Sequence, residues 1–259
     1  MPDASERFNT IANHFATSEV HKYSPTMALL HQILIAAESS LKEICDIACG
    51  SGHMGLSFEK YVTRLVGVDP APAMLEEFQK QAKAKGIKVE LIRAFAENIP
   101  LESNQFDVAV SRLAPHHFSD VQKAINEMAR IVKPHGYIAV IDLQGEEDPE
   151  VDAFNHQLEV LHDPTHVRSY QTCQWRKFFH HAGLKVIAQY CNRRESPGGV
   201  TVKRWCEIAD SGPQAELRIR QTLRHASPEV LNTLMIEQHS GEYYMPVKTI
   251  LTVGAKTVC

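Results

Sequence analysis

Residues 46–55 read DIACGSGHMG. Gly50, Gly52 and Gly55 have the G-x-G-x-x-G spacing of a turn whose backbone can approach a nucleotide closely. An acid, Asp46, precedes the first glycine, and a second, Asp69, follows at the roughly 20-residue distance where a carboxylate can take both hydroxyls of a ribose. The glycines and Asp69 suit a nicotinamide dinucleotide and S-adenosylmethionine equally. Asp46 separates them. A pyrophosphate is anionic, and at an effective dielectric of about 20 two unit charges about 4 Å apart interact by roughly 4 kcal/mol. S-adenosylmethionine instead presents an ammonium and a sulfonium, which a carboxylate attracts. The order D-x-A-C-G-x-G therefore favours the sulfonium compound.

Methyl transfer from a sulfonium is an in-line displacement in which orientation supplies much of the rate. A base is needed only if the acceptor must lose a proton, and histidine titrates in the right range. His116 and His117 are the candidates, since they fall just past the expected fourth strand. The run HDPTHVR adds His162, His166 and Arg168. Arg168 could clamp an anionic substrate, or these residues could tie down a cover by hydrogen bonds. No [N/D]-P-P-[Y/F] tetrapeptide of the kind that holds a planar amino nitrogen occurs. His116-His117 and His180-His181 lack the i, i+4 spacing of a helical metal site, and there is no H-E-x-x-H, so no metal is expected.

These residues must be positioned by alternating short apolar runs and helical patterns, which argue for βαβ units and a parallel sheet. Expected strands are 43–48, 62–69, 88–94, 106–112, 136–142, 184–190 and 247–255. Expected helices are 72–85, with Pro72 in its first turn and Gly86 after its end; 120–132, capped by Ser119 or Asp120; and 172–183. One or two helices should precede the first strand. Helices near 213–224 and 228–237 should form a cap, and the GEEDPE stretch in 143–171 should be a polar loop. Asp107 is expected to be structural, Cys45 and Cys49 to be packing residues, and Trp175, Phe178 and Phe179 to form a core-facing stripe.

Four blocks in order, DIACGSGHMG, VGVDPAPAML, AENIPLESNQFDVAVSRLAPHHFSD and RIVKPHGYIAVID, resemble the class I S-adenosylmethionine-dependent methyltransferases, specifically the UbiE-like, methyltransferase type 11 group. The resemblance covers about 44–142 and is most specific in its first two blocks together. It implies a Rossmann-like α/β fold: a seven-stranded, mostly parallel sheet with an antiparallel last strand, helices on both faces and helical cap segments. It implies one domain over 1–259, with a helical lead-in at 1–40, a cofactor-binding core at 41–142, a cover segment at 143–171, and the rest of the sheet at 172–259 with a helical insert at about 192–245. Residue by residue, it places Asp46, Ala48, Gly50 and Gly52, with Ser51 of the same loop, around the methionine moiety. Asp69 would hold the ribose. Pro70 and Met74 would flank the adenine, and Ala96 and Glu97 would lie at its edge. Arg112 and Leu113 would face the methionine portion and begin the substrate side. Phe95 departs from the small polar or acidic residue common at its position, so the adenine would be held by a backbone carbonyl, by Glu97 or by apolar contact.

The bulk properties agree. The chain has 259 residues, 44% hydrophobic, with a formal net charge of −4. No basic run marks a nucleic-acid partner, and no apolar run approaches a membrane span. Six scattered cysteines and a polar N-terminal stretch suggest a reduced, cytoplasmic protein. The expectation is a methyltransferase acting on a small-molecule acceptor through oxygen, carbon or nitrogen. It would release S-adenosylhomocysteine, and its oligomeric state is left open. An NAD-linked oxidoreductase and a non-catalytic cofactor-binding protein are the rivals.

Overall fold

The computed structural model describes residues 4–257. Helices α1 (Ala4–Thr17), α2 (Glu19–Lys22) and α3 (Pro25–Ala36) lead into β1 (Glu43–Ile47) and the short α4 (His53–Leu56). Then come β2 (Arg64–Val68), α5 (Pro72–Ala84), β3 (Val89–Ile92), β4 (Phe106–Arg112), a 3-10 turn at Pro115–His117, α6 (Val121–Ile131) and β5 (Val132–Leu143). The chain continues through α7 (Pro149–His162), α8 (Thr172–His181), β6 (Leu184–Arg194), β7 (Val200–Thr201), α9 (Val202–Ala209), α10 (Pro213–Arg224), α11 (Pro228–Thr233), β8 (Glu237–His239), β9 (Glu242–Met245) and β10 (Lys248–Lys256).

The main sheet has seven strands in the order β3-β2-β1-β4-β5-β10-β6. All run parallel except β10, which is antiparallel to both β5 and β6. The order turns back between β1 and β4, and ligands in open α/β sheets sit beyond the strand ends at such a switch point. β4 is buried along its whole length, as expected of a central strand covered on both faces. On one face α6 and α8 bury Ile125, Met128, Trp175 and Phe179; on the other α3 and α5 bury Leu30, Leu34 and Phe78. Asp107 accepts from Ser40 Oγ, Lys42 N, Glu43 N and Lys133 Nζ, so it laces the start of β1 to β5.

Three segments depart from the sequence expectation. The lead-in holds three helices, because Ser24 caps α3 and breaks the run. Within 143–171, the GEEDPE stretch is a loop as far as Asp148, which caps α7 with Pro149 at its first position, a helix not anticipated in this segment. The 228–237 helix stops at Thr233, because Glu237–His239 pairs with β9 across a tight turn, and α9 precedes it. β5 and β6 also outrun their apolar stretches. β5 starts earlier, with Val132 opposite Phe106 of β4, and pairing with β10 carries β6 on, for instance Thr249 opposite Arg193. The insert makes a core of its own with α7, built on Leu158, Trp205, Ile219, Tyr243 and Met245.

Cys45, Cys49, Cys173, Cys191 and Cys206 are free thiols, and Cys259 lies outside the described residues, as do Met1–Asp3 of the polar N-terminal stretch. No helix among the described residues is long and apolar enough to cross a membrane.

Candidate active site

A cavity of about 440 Å³ opens at the carboxyl ends of β1, β2 and β4. Its floor starts with Asp46 near the end of β1. The side chain is buried, and Oδ2 accepts from Gly55 N at 2.7 Å. A Cβ on Gly55 would stand 3.0 Å from that same oxygen, so the third glycine of the motif serves Asp46. Burial pushes the Asp46 carboxyl well above the usual range, against the hydrogen bond from Gly55 and the charge of Arg112.

The glycine loop is pinned to the second acid. Asp69 Oδ2 accepts from Gly50 N and Oδ1 from Ala71 N, both at 2.8 Å. Burial still raises Asp69 to about 6. Gly50, at φ 51°, lets its backbone form the cavity wall. Gly52 does something else. It lies outside the cavity at φ 86°, and a Cβ there would stand 2.1 Å from the Phe78 ring, so it permits close packing of loop on α5. Ala48 and Leu113, both at φ 50°, line the cavity just past β1 and β4. Non-glycine residues in this region cost of order 1–3 kcal/mol each and cluster at functional sites.

Ser51, Pro70, Met74, Ala96 and Glu97 also line the cavity, with Phe95 beside them at 55% exposure. Glu97 is partly committed elsewhere: Oε1 accepts from Ser119 N and Oγ at 2.9 Å, at the start of α6. Arg112 lines the cavity, but its guanidinium is spent on Glu195 Oε2 (2.8 Å) and on the carbonyls of Val20 and His21 (3.0 Å each). Glu195, which sequence reasoning missed, also accepts from Thr249 Oγ1.

The histidine pair splits. His117 lines the cavity; its Nδ1 is 3.0 Å from the Thr165 carbonyl. His116 lies behind it, with Nδ1 2.6 Å from Asp142 Oδ1. His162 is stacked on Trp205 and His166 is buried beside His116; neither lines the cavity. Arg168 stands outside it as well, exposed, with its guanidinium over the Tyr170 ring. The roof is formed by Phe8 and Phe15 of α1 with Thr165 and Val167 of the following cover. No described residue of the 192–245 insert lines the cavity; the insert instead supports the roof from behind, since Arg7 of α1 donates to Ala209 O and pairs with Asp163. No group of three or more His, Cys, Asp or Glu among the described residues is arranged to hold a metal.

The family model described as a methyltransferase domain matches residues 45–140. The methyltransferase YcgJ of Bacillus subtilis, whose activity is uncharacterised, is 33% identical over 216 residues, covering 82% of this chain and 84% of that protein. The chain belongs to the class I S-adenosylmethionine-dependent methyltransferases. The crystal structure of YcgJ matches this methyltransferase with a TM-score of 0.77 at 31% identity, over 89% of this chain and 98% of that one. A demethylmenaquinone methyltransferase of Thermus thermophilus is 31% identical over 110 residues, 42% of this methyltransferase and 50% of its own length. The block matched by the family model runs from β1 through most of β5, so it carries the glycine loop, Asp69 and both histidines.

Proposed function

We propose that this methyltransferase binds S-adenosylmethionine in the cavity, passes the methyl group in line to a small-molecule acceptor and releases S-adenosylhomocysteine. The buried Asp46 carboxylate in the cavity wall carries this reading. Its protein partner is one backbone N–H, and burial disfavours its charge. An arriving ammonium would restore that charge with a strong ionic hydrogen bond. Asp69, already aligned by Gly50 N and Ala71 N, keeps lone pairs for the two ribose hydroxyls. Pro70, Met74, Phe95 and Ala96 give an apolar wall that suits a purine, which answers the missing acid at position 95. The bound cofactor supplies a methyl group already activated on positive sulfur.

The chain supplies orientation and exclusion of water. Phe8, Phe15 and Val167 roof the space where an acceptor would meet the methyl. His117 is the proton acceptor when one is needed. The Thr165 carbonyl can only accept, so Nδ1 carries the hydrogen and Nε2 keeps its lone pair. Burial, then the charge of His116, pushes His117 well below its ordinary range, so the ring is neutral and a weaker proton acceptor than a free imidazole. His116 acts through His117, and Arg168 is left outside the reacting space.

Calorimetry tests the reading. S-adenosylhomocysteine should bind, NADH should not, and Asp46→Asn should weaken the former. Uptake of NADH across the 46–55 turn would overturn it. Methyl transfer is then read as S-adenosylhomocysteine release across a broad metabolite panel; cofactor binding without any acceptor would indicate a non-catalytic binding protein.

A further inference from the structure

We propose that the cavity holds the purine of its cofactor without reading the exocyclic amino group, because Phe95 stands where that group would need an acceptor, and that cofactors alkylated on this nitrogen are accepted about as well as the parent. The inference rests on the methyltransferase reading above and sets the specificity of the same site toward its cofactor.

In the proposed arrangement Asp46 takes the ammonium end of the cofactor and Asp69 takes the ribose. The purine is left with the wall beyond Asp69, made by Pro70, Met74, Phe95 and Ala96. Three of these side chains carry no hydrogen-bonding atom, and Met74 offers only a thioether, a weak acceptor. The polar groups beside this wall are engaged. Glu97 Oε1 accepts from Ser119 N and Oγ, both at 2.9 Å, and from Asp120 N at 3.3 Å, which holds the carboxylate against the start of α6. The Pro70 carbonyl accepts from Arg93 Nε at 3.3 Å, and the Phe95 carbonyl accepts from Asn98 N at 3.1 Å. Arg93 itself can only donate, so it offers an amino group nothing.

The purine amino group has two N–H donors, and no side chain of this wall gives them a strong acceptor. Water does instead. Among the described residues that line the cavity, Phe95 is the one large apolar side chain that is exposed, at 55%, whereas Asp46, Asp69 and Ala96 are buried. The purine end is therefore the open end. A donor that keeps its water in the complex adds little to affinity, and an alkyl group in its place leaves no protein acceptor unpaired. The added carbon meets a phenyl ring and solvent rather than a closed wall. An acid at position 95 would act in the opposite sense. It would take one N–H in a charge-assisted hydrogen bond and would be left without that partner by a dialkylated nitrogen. Phe95 thus exchanges recognition of the amino group for apolar contact with the ring system.

The test uses the full chain, titrated by calorimetry with S-adenosylhomocysteine and with analogues carrying one methyl, two methyls or one benzyl group on the purine amino nitrogen. The dimethyl compound has no N–H left to donate there. All three analogues should bind wild type within about threefold of the parent. Phe95→Asp should separate them: the parent should bind at least about tenfold tighter than the dimethyl compound, because the new carboxylate takes a donor that the dimethyl compound lacks. A wild type that binds the dimethyl or benzyl compound more than about threefold more weakly than the parent overturns the proposal, whether Glu97 or a backbone carbonyl does the reading. A folded Phe95→Asp that fails to separate the series overturns it too, since position 95 would then not face the amino group. If Phe95→Asp does not fold, the wild-type series still decides. Failure of wild type to bind S-adenosylhomocysteine in the first place would instead remove the methyltransferase reading on which the inference stands.

Discussion

His116 Nδ1 stands 2.6 Å from Asp142 Oδ1, and both side chains are buried. Burial alone would lower His116, but the charge and hydrogen bond of Asp142 outweigh it and hold the imidazole above its ordinary range. The His117 ring is centred 4.1 Å away and is pushed the opposite way. The two rings are therefore shifted in opposite directions, the hidden one toward imidazolium and the one that lines the cavity toward neutral imidazole. Asp142→Asn should undo this: His116 should titrate lower and His117 higher, read by NMR of labelled imidazoles. An unchanged His117 titration would reduce the pair to a tie for the cover, since the His116 carbonyl also accepts from Val167 N and Arg168 N.

Asp46→Asn keeps an oxygen for Gly55 N but removes the charge. Loss of a hydrogen bond to a charged group costs roughly 1.5–3 kcal/mol, so S-adenosylhomocysteine affinity should fall about tenfold to a hundredfold. The free protein should melt no lower, because burial disfavours the ionised acid. Calorimetry paired with thermal unfolding measures both, and unchanged affinity would remove Asp46 from the site.

Asp69 gives a pH dependence. Burial raises it from 3.8 to about 6 in the folded chain. The neutral form is thus favoured by folding, and that contribution is whole below the unfolded value and lost as pH rises through about 6. The ribose contact needs the ionised form, so S-adenosylhomocysteine should bind more tightly as pH rises through the same value, with proton release. Asp69→Asn should flatten this step in calorimetric affinity against pH.

Gly52→Ala separates packing from binding. Its Cβ would press into the Phe78 ring from a left-handed backbone. Overpacking costs typically about 1–3 kcal/mol, with about 1–2 more for the conformation. The melting temperature should fall, and Phe78→Leu in the same chain should restore part of it. Recovery of stability without recovery of cofactor affinity would show that Gly52 touches the ligand after all.

The acidic partner of Arg112 invites a fifth test. Glu195→Gln leaves a buried guanidinium without its counter-charge, a loss of about 3–5 kcal/mol in such sites. Joint replacement of Arg112 by Met and Glu195 by Leu should recover most of it. Denaturant unfolding of the single and double variants measures the difference.

Much of this molecule is set by order along the chain. Apolar runs, caps and turn residues act over a few neighbours, so the seven main strands, α5, α6 and α8 follow from local pattern. The acids and glycines of the cavity floor do too, because Asp46, Gly50 and Gly55 fall within ten residues, from the end of β1 through the loop into α4, and Asp69 directly follows β2. Even there, the sequence could not show that Gly52 faces Phe78 rather than the cavity, since a spacing does not fix a direction. Tertiary structure decided the rest. Arg112 meets Glu195 across 83 positions, His116 meets Asp142 across 26, and α1 comes over the cavity to supply the roof. None of these partners leaves a periodicity, because each contact depends on which strands the sheet places side by side. The same holds for Arg168, one residue past the roof yet turned outward, and for the insert, whose hydrophobic positions serve a second core rather than the ligand space.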